Sequence, residues 1–152
     1  MSVLRALRLC LAAALLVSAA GCSGAQTDVN SPEFIQRQIA AADVRLRGTW
    51  TLASFQPETP LEPMLQTMLE YQFNRVMVRF DGKRIVADSP GIHIERTYQI
   101  TEPNGDEFKL TAFDAQGVPY ESVCTFRDNT HIELHSHTMP WRGYGTLVRV
   151  GM

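Results

Sequence analysis

From Gly48 to Val150 the chain alternates apolar and polar residues with a period close to two. That spacing puts one face of a β-strand on a core and the other in water. Trp50, Leu52 and Ser54 alternate with Thr49, Thr51 and Ala53, and Val76, Val78 and Phe80 alternate with Arg75, Met77 and Arg79. Ile92, Ile94, Tyr98 and Ile100 alternate with His93, Glu95, Thr97 and Gln99. Shorter runs follow: Ile85 and Val86; Phe108, Leu110 and Ala112; residues 118–127; Ile132 and Leu134; and a last strand with Tyr144, Thr146, Val148 and Val150 on one face. Turn sequences separate them. Asp81-Gly82 reads as a two-residue hairpin turn, and Ser89-Pro90-Gly91, Pro103-Asn104-Gly105-Asp106, Asp114-Ala115-Gln116-Gly117 and Asp128-Asn129 mark the other bends.

Two segments leave that period. Ser31-Pro32-Glu33 has the makings of a helix start: a side-chain cap, a proline at the first helical position and an early acid. Phe34, Ile35, Ile39 and Ala42 continue at helical spacing, which predicts a helix near 32–43. Pro57, Pro60 and Pro63 break the first strand, and Leu61, Leu65, Met68 and Leu69 predict a second helix near 62–72.

The sum is a mainly β domain of about eight strands, seven of them consecutive with short connections. Such strands pair antiparallel as a meander, and a long meander protects its edges by closing into a barrel. The outward positions carry Arg, Glu, Lys and Gln, so the expected barrel stands in water and not in lipid. The alternative is a small sandwich or a curved open sheet.

Gly48-Thr49-Trp50 at the start of the first strand and Arg149 in the last one resemble the lipocalin and wider calycin pattern. In that pattern a Gly-x-Trp opens the barrel and an Arg of the final strand packs across the indole. A guanidinium over an indole is a cation–π contact of about 0.5–2 kcal/mol. The resemblance covers residues 48–150 in outline. It implies a small lipocalin-like up-and-down barrel, Trp50 and Arg149 as a barrel-closing pair, and a small, partly apolar ligand. The domain is shorter than a typical lipocalin and a helix interrupts its first hairpin, which bears on the room left for a ligand.

The N-terminus adds an address. Arg5 and Arg8 precede an apolar run from Leu9 to Ala20, about a dozen residues where roughly 20 are needed to span a bilayer. The run ends in Ala19-Ala20-Gly21-Cys22, which resembles the lipobox of bacterial lipoproteins. That resemblance implies a signal peptide over 1–21, lipid attachment at Cys22, a tether over 22–31 and a single domain over 32–152. It also implies a membrane partner in the cell envelope, with Ser23 favouring the outer membrane over the inner one. The alternative is an ordinary secretory signal cleaved near Ala25.

Processing at Cys22 leaves 12 basic against 16 acidic side chains, a balance that gives nucleic acid nothing to bind. Of the three cysteines only Cys124 then remains free, so no internal disulfide forms; its alternation with Tyr120, Ser122 and Phe126 predicts a buried thiol.

Candidate chemistry is sparse. His131, Glu133, His135 and His137 share one face of one strand, which suggests zinc or copper. Positions two apart lie about 6.8 Å apart along a strand, so only His135 and His137 can converge on one ion, and a third ligand must come from a neighbouring strand. Ile132 and Leu134 take the opposite, core-facing side, so the competing reading is a solvated histidine row. Arg96 sits on an otherwise apolar face and is the candidate partner of an anionic head group, with Tyr98, Tyr120 and Tyr144 lining the wall; the competing reading is an Arg that reaches water or an acid. No nucleophile elbow, phosphate loop, Cys-x-x-Cys or other cofactor motif occurs. Residues 139–145 concentrate aromatics in a loop suited to a partner contact or to packing the barrel end. The expectation is a non-catalytic envelope lipoprotein that needs no cofactor and binds a small apolar ligand, with a structural or protein-partner role as the alternative.

Overall fold

A computed structural model describes residues 29–139 and 141–151; the lipobox, Cys22 and most of the expected tether lie outside the described residues. Helix α1 (Pro32–Leu46) leads into strand β1 (Gly48–Pro57), followed by helix α2 (Pro63–Gln72). Seven further strands complete the chain: β2 (Met77–Phe80), β3 (Arg84–Ser89), β4 (Ile92–Asn104), β5 (Glu107–Phe113), β6 (Pro119–Phe126), β7 (His131–Ser136) and β8 (Gly143–Arg149). Every strand pairs antiparallel with its sequence neighbours, and β8 returns to β1, so the sheet is a closed eight-stranded barrel. Among the described residues no helix is long and apolar enough to cross a membrane.

The barrel has two unlike ends. Gly48, Phe80, Phe126 and Arg149 mark one, where α1 packs; Pro57, Ser89, Ile92 and Gly143 mark the other, the mouth, where α2 lies. The α1 end is filled. Trp50, Phe108, Leu46 and Ile132 are fully buried, and Phe80, Tyr98, Ile100, Cys124, Phe126 and Leu147 surround them. Helix α1 runs one turn longer than its sequence predicts, to Leu46, because that last turn drives Leu46 into the base of the barrel. Burying a leucine this fully stabilises by about 1.5–3 kcal/mol.

Trp50 and Arg149 do more than stack. The Arg149 guanidinium lies 4.2 Å from the Trp50 ring and donates to the carbonyls of Arg45, Arg47 and Asn129, while Trp50 Nε1 donates to the Leu46 carbonyl at 2.7 Å. The closing carbonyls of α1, which a helix cannot satisfy internally, are thereby paired. A cation at that position also complements the helix dipole. Gly48 is required here: its φ is +119°, and a Cβ would sit 2.8 Å from Arg149 Nη1.

Three local expectations are corrected. The Asp81-Gly82 turn is longer than two residues, since β2 ends at Phe80 and β3 begins at Arg84; the Asp81 carboxylate accepts from the Lys83 and Arg84 N–H groups and holds the wider loop. A bulge between Leu52 and Ser54 shifts the register of β1 against β8 and turns Phe55, not Ser54, toward Gly145 and Leu134 inside. In β8 the inward face is Gly143, Gly145 and Leu147, so Tyr144 is outside.

Candidate functional site

The mouth holds an apolar recess of about 370 Å³. Helix α2 contributes Leu65, Met68, Leu69 and Gln72, positions i, i+3, i+4 and i+7 that share one helical face. Opposite them stand Ala87 and Ser89 of β3, paired in register with Ile94 and Ile92 of β4. Leu52 of β1 lies deeper, Val76 follows α2, and Trp141 reaches in from the β7–β8 connection. The alternation that places Ile100 and Tyr98 in the core continues up β4 to Ile94 and Ile92. At the mouth no further layer among the described residues covers them, and they remain 40 and 43 % exposed.

Among the described residues no charged side chain lines this recess, and its polar members are Gln72 and Ser89. Gln72 Oε1 and Ser89 Oγ are both shielded from solvent and have no hydrogen-bond partner among the described residues. Leaving such groups unpaired costs roughly 1–3 kcal/mol each. The polar bays elsewhere differ in kind: a hollow of about 550 Å³ at the closed end is walled by Arg47, Asp81, Lys83 and Arg84.

The connection that carries Trp141 is held from outside. Glu58, just past β1, accepts from Arg142 Nε at 2.7 Å and lies 2.6 Å from His135 Nε2, and its backbone N–H donates to the Arg142 carbonyl. The hydrogen bond from His135, and then the Arg142 charge, hold the Glu58 carboxyl below its ordinary range.

The residues singled out in the sequence are dispersed. Arg96 stacks 3.7 Å above the Tyr120 ring, and Tyr120 donates to Asp114 at 3.3 Å, so the arginine and this tyrosine form a wall contact apart from the apolar recess. Tyr98 sits near the closed end, edge-on to Phe80, and donates to Asp43 of α1 at 2.6 Å. Burial, and then that bond, push its phenol above the ordinary value. Tyr144, expected on an interior wall, stacks on His135 on the outer surface with ring centroids 4.1 Å apart. None of the four lines the apolar recess.

His135 and His137 do approach each other, with ring centroids 4.1 Å apart, but His135 Nε2 is engaged by Glu58. Among the described residues no group of three His, Cys, Asp or Glu side chains is placed to hold a metal ion. Cys124 is buried between Phe108 and Leu134, its register partners, and desolvation pushes its thiol up to about 12.

The helical spacing of α2 and the aromatic loop are visible in the sequence, but nothing in either points to the recess. Gln72 and Ser89 carry no local signal, because being unpartnered is a property of the assembled mouth. A closed eight-stranded meander is compatible with a lipocalin-like fold. No known protein family, curated protein or solved structure matches the chain, so the uncharged recess at the barrel mouth is defined by its own geometry.

Proposed function

We propose that this protein is a lipid-anchored, non-catalytic component of the cell envelope that binds a small, largely apolar molecule at the mouth of its barrel. The observation that carries the reading is the recess itself. About 370 Å³ of space lies within the range of roughly 300–1,000 Å³ typical of small-molecule sites, and nine of the eleven described side chains that line it are apolar. The anchor is read from Ala19-Ala20-Gly21-Cys22, and Ser23 points to the outer membrane. Each buried acyl methylene contributes about 0.8 kcal/mol, so a multiply acylated Cys22 holds the protein firmly at a membrane.

Native mass spectrometry of the protein extracted from its own envelope tests the binding. A co-purifying small molecule is expected, and an empty barrel in every preparation would sink the reading. Metabolic labelling with a palmitate analogue tests the anchor: label is expected on the wild-type chain and absent from Cys22→Ser.

A second reading, a docking module for another envelope protein, is favoured by a distinct observation. Met64, Tyr71 and Met139 lie outside the recess lining and are between 54 and 73 % exposed, beside the exposed rim residues Met68 and Trp141. Apolar side chains gathered around an opening commonly mark a protein contact. Crosslinking from residue 64 or 139 to a single envelope protein, with no small molecule retained, would favour that reading over the first.

A further inference from the structure

We propose that the rim of the barrel mouth is a second, non-covalent membrane contact: it lies on the phospholipid surface to which Cys22 is tethered, so that the recess opens against lipid and not into water. This rests on the anchor reading and does not require that a ligand be bound.

The wall of the recess continues into an exposed apolar surface. Along α2, Met64, Met68 and Tyr71 are spaced i, i+4 and i+7, and Met68 belongs both to this row and to the recess lining. Ile92, Ile94 and Trp141 complete the rim. All six are between 40 and 73 % exposed. Gln66 and Glu70, hydrogen-bonded to each other at 2.7 Å, are spaced onto the other side of the helix. A helix with one apolar and one polar face suits the plane of a membrane interface, its apolar side about 5–10 Å deep. Tyr and Trp favour that depth. The exposed Arg75 guanidinium lies 4.0 Å over the Tyr71 ring, a position from which a cation reaches lipid phosphate. Glu62, also exposed, stands at the other end of α2 and offsets that charge, so apolar burial and not anionic lipid holds the face.

The opposite end offers no such surface. The ion pairs Arg45–Asp106, Arg47–Asp43 and Arg84–Asp81 surround the base, and pressing them into an interface costs their hydration. Reach does not choose between the ends. Cys22 and Ser31, the cap of α1, are nine residues apart, at most about 30 Å of extended chain. A seven-residue strand such as β8, tilted as barrel strands are, makes a barrel about 18 Å tall. Either end can therefore meet the membrane, and the side chains decide which one does. They also favour lipid over protein. A protein interface carries a hydrogen bond for roughly every 100–200 Å², and four of the six rim side chains have no nitrogen or oxygen to give one.

The test uses the full lipidated protein in vesicles of dioleoylphosphatidylcholine, with part of that lipid replaced by an analogue brominated on the upper half of its acyl chains. Flotation reads the anchor. Tryptophan emission reads the rim, because Trp141 is exposed there while the chain's other tryptophan, Trp50, is sealed in the base. Bromolipid is expected to quench the Trp141 emission at least about twofold. Met64→Gln with Tyr71→Gln, both exposed and outside the recess lining, is expected to cut that quenching at least about threefold, with flotation and the urea midpoint unchanged. Wild-type protein that floats but is not quenched would overturn the rim contact and leave the anchor standing. Emission shielded from iodide in native envelope vesicles, yet untouched by bromolipid in pure ones, would overturn it in favour of a protein partner. Quenching that survives the paired change in full would place Trp141 near lipid by some other face and overturn it too. Protein that fails to float would overturn the anchor and the rim contact together.

Discussion

The two ends of this barrel are built from the same alternating strands and differ in what finishes them. At the base, α1 arrives capped: Ser31 accepts from the Phe34 N–H, and the carbonyls of Arg45, Leu46 and Arg47 are taken up by Arg149 and Trp50. It buries Ala42 and Leu46 among core rings. At the mouth, α2 begins at Glu62 with no side-chain cap, has no basic residue in its last turn, and buries only Leu69. One end is sealed, with the closing carbonyls of α1 paired; the other is open and apolar, with Gln72 Oε1 and Ser89 Oγ left without partners among the described residues. The contrast teaches where the stability of the fold resides. A barrel needs one well-filled end to fix its closure, and the second end is then free to remain underfilled.

The largest test of that division is truncation at the base. Trp50→Ala removes a fully buried indole together with its bond to Leu46 and the platform under Arg149. The expected loss is about 3–5 kcal/mol, read from the urea midpoint. Leu69→Ala at the mouth opens into existing space and is expected to cost about 2 kcal/mol, the low end for a leucine. Equal losses would break the comparison.

Arg149→Leu should follow in size. It keeps the packing volume but leaves the carbonyls of Arg45, Arg47 and Asn129 without their donor, a cost of about 1.5–3 kcal/mol. Arg149→Lys should recover only part of this, since one ammonium cannot reproduce the planar fork.

A third prediction uses pH. Burial, then the bond to Asp43, raise the Tyr98 phenol above its ordinary value near 10. The stability Tyr98 contributes is whole below that ordinary value and is lost as pH climbs toward the folded-state value. Wild-type protein should therefore lose stability above about pH 10 more steeply than Tyr98→Phe, which should cost about 1–2 kcal/mol at neutral pH by leaving Asp43 Oδ1 without its donor while Arg47 still holds Oδ2. Cys124 behaves alike in a lower window, from its ordinary value near 8.5 up to about 12. Its thiol should resist an aromatic disulfide reagent at pH 8 in the native state and react promptly in urea; fast native labelling would show that the base is not sealed.

The difference between the ends also governed what could be read from the sequence. The eight strands, both helices and the Trp50–Arg149 pair were legible because each depends on local periodicity or a short motif: Val78 with Phe80, Ile132 with Leu134, Pro32 after Ser31. The bulge in β1 was not legible, because Ala53 breaks the phase without any residue that demands it; alternation alone put Ser54 where Phe55 belongs. The face of β8 was misread for a related reason. Tyr144, Thr146 and Val148 look like an inner face, but Gly143 and Gly145 are the inward positions because backbone and rings crowd there: a Cβ on Gly143 would lie 2.3 Å from the Gln56 carbonyl, and one on Gly145 3.1 Å from the Phe55 ring. Arg96 was visible as an anomaly, and its resolution, a stack on Tyr120 two strands away, was not. The site was less legible than the fold because it lies in residues that lack something. No pattern along the chain announces that Gln72 and Ser89 will end up without partners.

The smallest expected effect is the most discriminating, because its sign is opposite at the two ends. At the base, Arg149→Leu removes a polar group that is bonded, and stability must fall. At the mouth, Gln72→Leu with Ser89→Ala removes two polar groups that are buried and unbonded, so the empty protein gives up no hydrogen bond and sheds their desolvation. The pair should leave the urea midpoint unchanged or raise it, by at most about 1 kcal/mol, in protein stripped of any bound molecule. A clear drop in stability for the pair would mean that the two side chains find partners within the protein, and the mouth would then be a second sealed end.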